Sequence, residues 1–534
     1  MNDLKLVNGL HTRACGILLP VFSLPGPYGI GCLGKSAYAF LDFLHDAGQQ
    51  FWQILPLAPT SEASYYSPYM SPSAFAGNHL YIDIEALVEK GLINREDLSG
   101  ISFSEYHVDY QEVQATKNKL LRLAWQAFKD SREASLLSQF SNNHSWVLPF
   151  SVFIALKYKN DNAPWYAWPT EEKTCSAQSL ENFHQKHQDA VDYEIFKQYL
   201  FHSQWELLHT YANQLGIQII GDLPIYVALD SADVWEHQCI FQLDTATSRP
   251  THVAGVPPDY FSKTGQLWGN PLYKWQDKKP ATQNKLYQWW EKRLRHNLSL
   301  TDIVRIDHFR GFESYWSVPA EETTAINGTW IPGPGKTFFK EMEQRIGTLP
   351  ILAEDLGIIT PEVEQLRDEL GYPGMKILLF AFDGDPGNSY LPHNCTKDAV
   401  IYTGTHDNDT AVGWFLSPEV IADDKFRAKR YARRFDHEAG NFHEDLIYLA
   451  LSSVCNLAIL PMQDILGFGN DCRTNTPGTV INNWQWRCAE RFLNNQTSSW
   501  LRDQVAFFGR SPTKPKPDPT PKMTQDQSIL SSWK

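Results

Sequence analysis

Short apolar runs recur along the whole chain, each bounded by Gly, Pro, Asp or Asn, and amphipathic helical patterns follow many of them. Strands that alternate with helices pair in parallel, and eight of them close a barrel. The run 377–382, Ile-Leu-Leu-Phe-Ala-Phe, is apolar throughout, as expected for a strand that is buried on both faces. The sequence therefore predicts an α/β fold, a (β/α)8 barrel of the TIM type. The predicted strands are residues 16–21, 51–57, 217–223, 302–308, 350–354, 375–382, 399–405 and 456–462.

The spacing of these strands is uneven. Residues 58–216 and 224–301 separate successive strands by far more than one helix and its loops, and helical patterns are frequent in them. We expect both segments to be large, mostly helical subdomains inserted in βα loops at one end of a single catalytic barrel, residues 1–510. Residues 511–534 combine prolines with lysines and polar side chains, which cannot build a core, and are predicted to form a flexible tail.

Composition excludes several classes of function. The chain has 534 residues, of which 43% are hydrophobic, enough for a large core. Its net charge of −14 repels phosphate backbones and anionic membrane surfaces, so nucleic acid is not an expected partner. No apolar run approaches the ~20 residues that span a bilayer, and the N-terminal segment lacks the pattern of a signal peptide. The eight cysteines form no CxxC pair and fit reduced thiols, so we expect a cytoplasmic protein.

Some motifs suggest nucleotide or metal binding but are incomplete. Residues 29–34 match GxGxxG, yet a Pro- and Gly-rich segment separates them from the preceding strand and no acid follows to bind a ribose. Residues 333–337 end like a P-loop, but the first glycine of that motif would fall on the bulky Trp330. His184 and His187 are one helical turn apart without a third ligand, and we interpret them as solvated helix residues. We expect neither a nucleotide cofactor nor a metal.

Three acidic residues, Asp307, Glu354 and Asp407, each follow the apolar part of a predicted strand. In a parallel barrel the carboxyl ends of the strands meet at one mouth, where active sites are built. Cleavage of a glycosidic bond needs an anion beside the anomeric carbon and a protonated acid near the leaving oxygen. Any one of these acids alone would more often form a salt bridge or a helix cap. Three at strand ends, with basic neighbours, favour catalysis on a glycoside.

Two of these acids would need different ionisation states. Arg305 lies two residues before Asp307, on the same strand face, and its charge should keep Asp307 ionised as a nucleophile. Glu354 then remains for the general acid/base role, and nearby negative charge should raise its pKa.

Several longer motifs surround these acids. They are Trp52-Gln-Ile-Leu-Pro-Leu-Ala-Pro-Thr60, Ser67-Pro-Tyr69, Ser73-Ala-Phe-Ala-Gly-Asn78, Gly221-Asp-Leu-Pro-Ile-Tyr226, Ala254-Gly-Val-Pro-Pro-Asp-Tyr-Phe261, Gln266-Leu-Trp-Gly-Asn-Pro271 and Asn475-Thr-Pro-Gly-Thr479. With them the chain resembles the amylomaltase family, the disproportionating enzymes or 4-α-glucanotransferases of glycoside hydrolase family 77 in the α-amylase superfamily. The resemblance covers about residues 15–487, nearly everything but the tail.

The resemblance implies a role for each matching residue. Asp307 would be the nucleophile, Glu354 the general acid/base, and Asp407 the residue that grips the sugar hydroxyls in the distorted state. It also implies malto-oligosaccharides and longer α-1,4-glucans as substrates, no metal, no organic cofactor and no obligate protein partner. The residues implied to line the glucan site are Arg305, His308, His406 and Asp222 near the nucleophile, Asp259, Tyr260, Phe261, Gln266, Trp268 and Asn270 in an arching loop, Ser67 and Tyr69 in a wall, and Asp464 and Asn475 on the donor side.

The chain departs from the family pattern beside that wall. Many relatives have small residues before Ser-Pro-Tyr and a polar residue after it, whereas this chain has Tyr65, Tyr66 and Met70. Contacts to the acceptor and the preferred chain length therefore stay open. Cys32 also replaces an aspartate that is usual in the family, at a position away from the three acids.

Three functions are compatible with these residues. The first is a transferase that moves 1,4-α-glucan segments to the 4-hydroxyl of glucose or a malto-oligosaccharide, by a retaining double displacement through a covalent glucosyl-aspartate. The second is an α-glucan hydrolase on the same scaffold, and the third is a non-catalytic glucan-binding protein. The presence of the three acids and Arg305 disfavours the third. The aromatic loop 260–268 favours the transferase, because it could exclude water from the covalent intermediate.

Overall fold

The computed structural model describes residues 10–258, 262–435 and 440–512. The strands in these residues are β1 (Ala14–Leu18), β2 (Phe51–Gln53), β3 (Gln218–Pro224), β4 (His252–Val256), β5 (Gln266–Pro271), β6 (Ile303–Asp307), β7 (Ser314–Pro319), β8 (Thr329–Pro332), β9 (Ile351–Ala353), β10 (Gly374–Ile377), β11 (Ala399–Tyr402) and β12 (Leu457–Pro461). Eight of them form one parallel sheet in the order β10-β11-β12-β1-β2-β3-β6-β9.

This sheet is a nearly closed barrel. Its two edge strands, β9 and β10, approach each other where the amide of Ala353 donates to the carbonyl of Pro373 at 3.0 Å. Inside the barrel the Tyr402 hydroxyl donates to Gln53 Oε1 at 2.8 Å, and on the outer face of β2 the buried Trp52 packs against Phe40 of the helix Lys35–Asp46, with ring centroids 5.3 Å apart. The predicted (β/α)8 barrel is confirmed, and each predicted strand overlaps one of the eight barrel strands.

Several predicted strands run past the end of the observed ones; the predicted strand 51–57 exceeds β2, for example, and the predicted strand 375–382 exceeds β10. The sequence predicted a strand over residues 375–382, but β10 ends at Ile377 and Leu378–Phe380 form a 3-10 turn. These side chains are apolar because they pack under the barrel mouth, and burial alone does not distinguish a strand from a tight turn.

Helices alternate with the barrel strands and also fill the long connections. They are α1 (Lys35–Asp46), α2 (Glu85–Glu89), α3 (Tyr110–Lys129), α4 (Ser135–Asn143), α5 (Val147–Lys159), α6 (Ala177–Lys186), α7 (Gln188–Gln214), α8 (Ala232–Glu236), α9 (Pro280–Leu300), α10 (Gly335–Ile346), α11 (Pro361–Leu370), α12 (Ala411–Leu416), α13 (Ala422–Tyr431), α14 (Phe442–Ser452), α15 (Met462–Ile465) and α16 (Asn495–Phe507). Within the described residues, none of them combines the length and the apolarity that crossing a membrane requires.

The two long connections differ in structure. Residues 58–216 contain the six helices α2 to α7. Residues 224–301 contain α8 and α9 but also β4 and β5, which pair with β7 and β8 in a four-stranded antiparallel sheet of order β5-β4-β7-β8. The second connection is therefore less helical than the sequence predicted. Of the predicted tail, residues 513–534 lie outside the described part of the chain.

The glycines of the GxGxxG match serve packing. A Cβ at Gly31 would lie 1.8 Å from the carbonyl oxygen of Val21, and one at Gly34 would lie 2.2 Å from the carboxyl carbon of Asp83. Gly34 is the N-cap of α1, and the close approach of the Asp83 carboxylate leaves no room for a side chain at this position. Of the two histidines one helical turn apart, His184 has a carboxylate partner, since its Nε2 lies 2.7 Å from Asp192 Oδ1.

Candidate active site

The barrel topology brings the predicted acids to one end of the sheet. Asp222 lies within β3, Asp307 is the last residue of β6, and Glu354 directly follows β9. Asp407 lies in the loop after β11. Because all barrel strands are parallel, these positions share the mouth at the carboxyl ends of the strands.

Arg305 links two of these carboxylates. It is the register partner of Asp222 on the neighbouring strand, and its Nη1 donates to Asp222 Oδ1 and Oδ2 at 2.7 and 2.8 Å. Its Nη2 lies 3.0 Å from Asp307 Oδ1. Burial alone would lower the pKa of Arg305, but Asp222 and Asp307 outweigh burial and the pKa is raised. Arg305 is therefore a fixed cation beneath the mouth.

Opposing effects act on Asp307. Burial deep in the barrel and the charges of Asp222, Glu354 and Asp407 raise the pKa of Asp307, while Arg305 lowers it. The raising effects are larger, so the pKa of Asp307 lies above its usual range. The sequence predicts the opposite, because it shows the charge of Arg305 but not the burial of Asp307. The Asp307 side chain is still 29% exposed, which leaves it accessible from the cleft.

Glu354 is held by two main-chain amides. The N–H of His308 donates to Glu354 Oε2 at 2.7 Å, and the N–H of Leu356 donates to Oε1 at 2.9 Å. Burial raises the pKa of Glu354, against the lowering effects of Arg305 and of these two hydrogen bonds. Each carboxyl oxygen keeps a second lone pair, so Glu354 can still carry a proton or accept one. The pKa of Glu354 is raised, as expected, but the main cause is burial rather than nearby negative charge.

His308 adopts a strained conformation between the two acids. Its φ of 53° is in the left-handed region, which turns its amide toward Glu354. Its ring is perpendicular to that of Trp268, with ring centroids 4.8 Å apart. Burial lowers the pKa of His308 to about 3, so the ring is neutral. Its Nε2 is buried without a hydrogen-bond partner among the described residues, as expected of a polar group that binds a ligand hydroxyl.

Asp407 is hydrogen-bonded to the segment after β12. Asn475 Nδ2 donates to Asp407 Oδ1 at 2.6 Å, and His406 Nε2 lies 3.3 Å from Asp407 Oδ2. The amide of Asn475 donates to the carbonyl of His406 at 3.0 Å, so one segment holds both neighbours. The Asp407 side chain is 45% exposed and opens to the cleft.

Tyr69 connects the wall to the floor of the cleft. Its hydroxyl donates to Asp222 Oδ2 at 2.7 Å and lies 2.8 Å from His406 Nε2. Because that hydroxyl has one proton, His406 must carry its own proton on Nε2 and donate it to the tyrosine oxygen. The two rings stack with centroids 5.4 Å apart. Ser67 fixes this turn by accepting from the Tyr69 amide at 3.3 Å.

The predicted arching loop is only partly described. Gln266 and Trp268 are half-buried on β5, where Trp268 Nε1 donates to Gln266 Oε1 at 3.2 Å. Asn270 is buried and donates to the carbonyl of Val227 at 2.9 Å, so it ties β5 to the loop after β3. The predicted residues Asp259, Tyr260 and Phe261 lie outside the described residues.

Asp464 does not reach the cleft. Its side chain is 1% exposed, one oxygen accepts from the Ala411 amide at 2.7 Å, and the other accepts from the Thr403 hydroxyl. Burial raises the pKa of Asp464 to about 6. Both oxygens bind groups at the start of α12 and the end of β11, so the implied contact with a donor sugar would require Asp464 to give up one of these partners.

Sequence reasoning missed Arg473. Its Nη2 donates to the carbonyl of Asp407 at 2.6 Å and its Nε to the carbonyl of Asn475 at 2.7 Å. The available signal was its place two residues before the Asn475-Thr-Pro-Gly-Thr479 motif. In the part of the chain that is described, no group of three or more His, Cys, Asp or Glu side chains could hold a metal ion.

The chain is a (β/α)8 barrel with several carboxylates and the buried Arg305 at the strand ends. These features define the class of barrel enzymes that act on glycosidic bonds through paired carboxylates. Comparison with known proteins narrows this class. The chain belongs to the 4-alpha-glucanotransferase family, glycoside hydrolase family 77, whose sequence profile matches residues 19–494.

Individual relatives are similar over nearly their full length. The 4-alpha-glucanotransferase of Synechocystis sp. is 46% identical over 93% of this chain and 97% of its own, and that of Clostridium butyricum is 44% identical over 92% and 99%. The structure of the amylomaltase from Streptococcus agalactiae in complex with acarbose is also similar, with 39% identity and a TM-score of 0.88 over 94% of this chain and 100% of that one.

Proposed function

We propose that this protein is a 4-α-glucanotransferase, which moves a segment of a 1,4-α-glucan from a donor to the 4-hydroxyl of glucose or a malto-oligosaccharide. The observation that carries the proposal is the ion pair between Arg305 Nη2 and Asp307 Oδ1, 3.0 Å long, at a strand end beside the half-buried Glu354. The pair orients the Asp307 carboxyl next to that of Glu354. Burial raises the pKa of both carboxyls, and the charge of Arg305, in direct contact with Asp307, favours the ionised form of that residue. Family membership gives the reaction class, and these groups give it a mechanism.

In the first half-reaction a carboxylate oxygen of Asp307 attacks the anomeric carbon of the donor. The glycosidic bond breaks, and its oxygen leaves with the proton from Glu354. The products are a glucosyl ester of Asp307, the shortened glucan and an ionised Glu354. The cation of Arg305 orients Asp307, and the amides of His308 and Leu356 stabilise the negative charge that Glu354 acquires.

The sugar at the cleavage point would be bound by groups around this pair. The half-exposed carboxylate of Asp407 can accept hydrogen bonds from ring hydroxyls, and these contacts strengthen as the ring flattens. The unpaired Nε2 of His308 provides a further polar contact. The Tyr69 ring, stacked on His406, offers an apolar face to the C–H surface of the sugar.

In the second half-reaction the 4-hydroxyl of the acceptor attacks the ester carbon, and Glu354 takes its proton. The bond to Asp307 breaks and the free enzyme returns. Two inversions give net retention of the anomeric configuration. Whether water or a sugar attacks decides between transferase and hydrolase, and the half-buried Trp268 beside His308 favours the sugar by restricting water.

The direct test is incubation with maltotriose and separation of the products. A transferase yields glucose and longer oligomers with almost no net gain of reducing ends, because each bond broken is replaced. A steady rise in reducing ends would establish the α-glucan hydrolase instead. Binding without any product would identify a non-catalytic glucan-binding protein.

A further inference from the structure

Arg473 forms a two-pronged contact behind Asp407. One nitrogen, Nη2, donates to the Asp407 carbonyl at 2.6 Å, and another, Nε, donates to the Asn475 carbonyl at 2.7 Å. The Asn475 side chain in turn donates to Asp407 Oδ1 at 2.6 Å. The guanidinium therefore joins the main chains of the two residues whose side chains meet at the cleft. A planar group with donors in fixed directions suits this bridging role.

The surrounding contacts fix the segment that carries Arg473. Asn470 Nδ2 donates to Asp409 Oδ2 at 2.7 Å, and Gln463 Nε2 donates to Thr474 Oγ1 at 2.8 Å. The amide of Trp484 donates to the Thr474 carbonyl at 2.7 Å. The loop after β11 forms a turn of its own, in which the Thr405 amide donates to Asn408 Oδ1 at 2.8 Å and the Asp407 amide donates to Thr405 Oγ1 at 3.3 Å. The carbonyl of Asp407 and its carboxylate oxygen Oδ1 receive hydrogen bonds from the segment that carries Arg473. Arg473 joins this segment to the loop after β11 at the two residues nearest the carboxylate, Asn475 and Asp407.

We propose that Arg473 is a positioning residue for Asp407 and acts through the main chain rather than by touching the substrate. It keeps the Asp407 carboxylate at the distance and angle at which the flattened sugar ring can be bound. This inference rests on the proposed transferase function only through the role given there to Asp407. A misplacement of about 1 Å in such a group can cost about 10²-fold in rate.

The test compares Arg473→Gln and Arg473→Lys with the wild type and with Arg13→Gln. Arg13 is a matched control, since it is also half-buried and donates to main-chain carbonyls, those of Phe508, Ser453 and Leu451, but lies at the start of β1, at the opposite end of the barrel. Measured quantities are kcat and KM for maltotriose disproportionation, the Kd for acarbose and Tm. Arg473→Gln should lower kcat/KM by about 10²-fold. Arg473→Lys, which keeps the charge but not the fork, should lie between Arg473→Gln and the wild type.

Arg13→Gln should lower Tm while kcat/KM stays within about twofold of the wild-type value, because its contacts are remote from the cleft. In an Asp407→Asn background, Arg473→Gln should weaken acarbose binding by less than about twofold, since the group that Arg473 positions has already been altered. When Asp407 is unchanged, Arg473→Gln should show its full loss of acarbose affinity.

Two results would overturn the inference. One is a value of kcat/KM for Arg473→Gln within twofold of wild type. The other is an equal loss of acarbose affinity with and without the Asp407 carboxylate, which would make Arg473 a general structural residue. If the wild type neither converts maltotriose nor binds acarbose, the proposed function fails. Crystal structures of the unliganded wild type and Arg473→Gln then decide the positioning role, by a displaced or an unchanged Asp407 carboxylate.

Discussion

Asp222 and Arg305 are register partners on the adjacent parallel strands β3 and β6, and Arg305 Nη1 donates to both carboxylate oxygens of Asp222, at 2.7 and 2.8 Å. The other terminal nitrogen of Arg305 is thereby turned toward Asp307, 3.0 Å away. A buried aspartate on one strand thus orients the cation that pairs with the candidate nucleophile on the next. Sheet register, rather than loop conformation, fixes this part of the site.

The charge of Arg305 should control the acidic limb of the pH–rate profile. Arg305 lowers the pKa of Asp307, against burial and the other carboxylates that raise it. Asp307 must be ionised to attack, so removal of the cation in Arg305→Gln should move the acidic limb of kcat/KM to higher pH and lower the maximum. Arg305→Lys keeps a charge and should shift the limb less. A profile of Arg305→Gln that coincides with the wild type after scaling would contradict this electrostatic role.

The same profile should respond to Glu354. Burial raises its pKa, and it must be protonated to act as an acid, so activity should fall as pH rises through that pKa. Because Asp307 and Glu354 interact, the two limbs report the pair rather than either residue alone. Glu354→Gln should abolish the basic limb of the residual activity. Measurement of kcat/KM across the pH range checks both limbs in one experiment.

Asp307→Asn and Glu354→Gln should each lower kcat by at least ~10³-fold, since each removes a group that acts mainly in the transition state. Both variants should remain folded by circular dichroism. A matched control is Asp398→Asn, whose side chain is 70% exposed just before β11, at the other end of the barrel, and which should leave kcat unchanged. Near-normal turnover in either test variant would remove that residue from the mechanism.

The product configuration, read by NMR, should be retained, with the two carboxyls ~5 to 5.5 Å apart.

Asp464 should behave as a structural residue. Asp464→Ala leaves the Ala411 amide and the Thr403 hydroxyl without their acceptor in a buried place, which costs ~1–3 kcal/mol of the free energy of unfolding. Denaturant titration measures this loss. The KM for maltotriose should stay close to the wild-type value at a temperature where the variant is folded. A large rise in KM with unchanged stability would restore the implied sugar contact.

Asp307 and Asp464 differ in how well the sequence predicts the direction of their side chains. Both follow an apolar strand; position at a strand end predicted a cleft role for Asp307, and the family resemblance implied one for Asp464. Asp307 opens to the cleft at 29% exposure, whereas Asp464 lies in α15, which turns its side chain under the mouth. The direction of a side chain one turn beyond a strand depends on packing against elements far along the chain. Local pattern does not contain that information.

Arg473 was missed for a related reason. Its partner Asp407 is 66 residues away, and an arginine that binds carbonyls leaves no pattern of opposite charge in the sequence. The strands, in contrast, were predictable because each is a local apolar run, and their parallel order follows from the alternation with helices. The antiparallel sheet of β4, β5, β7 and β8 was not predicted, since its short strands pair across β6 and a helix.

In the second half-reaction a sugar and water compete for the covalent intermediate. Water surrounds the open cleft, so a transferase must hold the acceptor in line and deny water the same position, an advantage that effective molarities of ~10⁵ M or more can supply. Trp268 is suited to both tasks, because it is half-buried at the cleft, 4.8 Å from the His308 ring, with its indole N–H bound to Gln266. Its plane can stack an acceptor sugar and exclude solvent.

Trp268→Ala should therefore raise the ratio of hydrolysis to transfer about tenfold, the effect of losing ~1.4 kcal/mol of that advantage. The ratio is measured as new reducing ends per glucose released from maltotriose. Leu267→Ala is the matched control, since the adjacent side chain on β5 points to the opposite face and is 36% exposed. It should leave the ratio unchanged. If Trp268→Ala lost transfer and hydrolysis in equal measure, the indole would bind sugar without selecting against water, and the exclusion of water would have to come from other residues of the cleft.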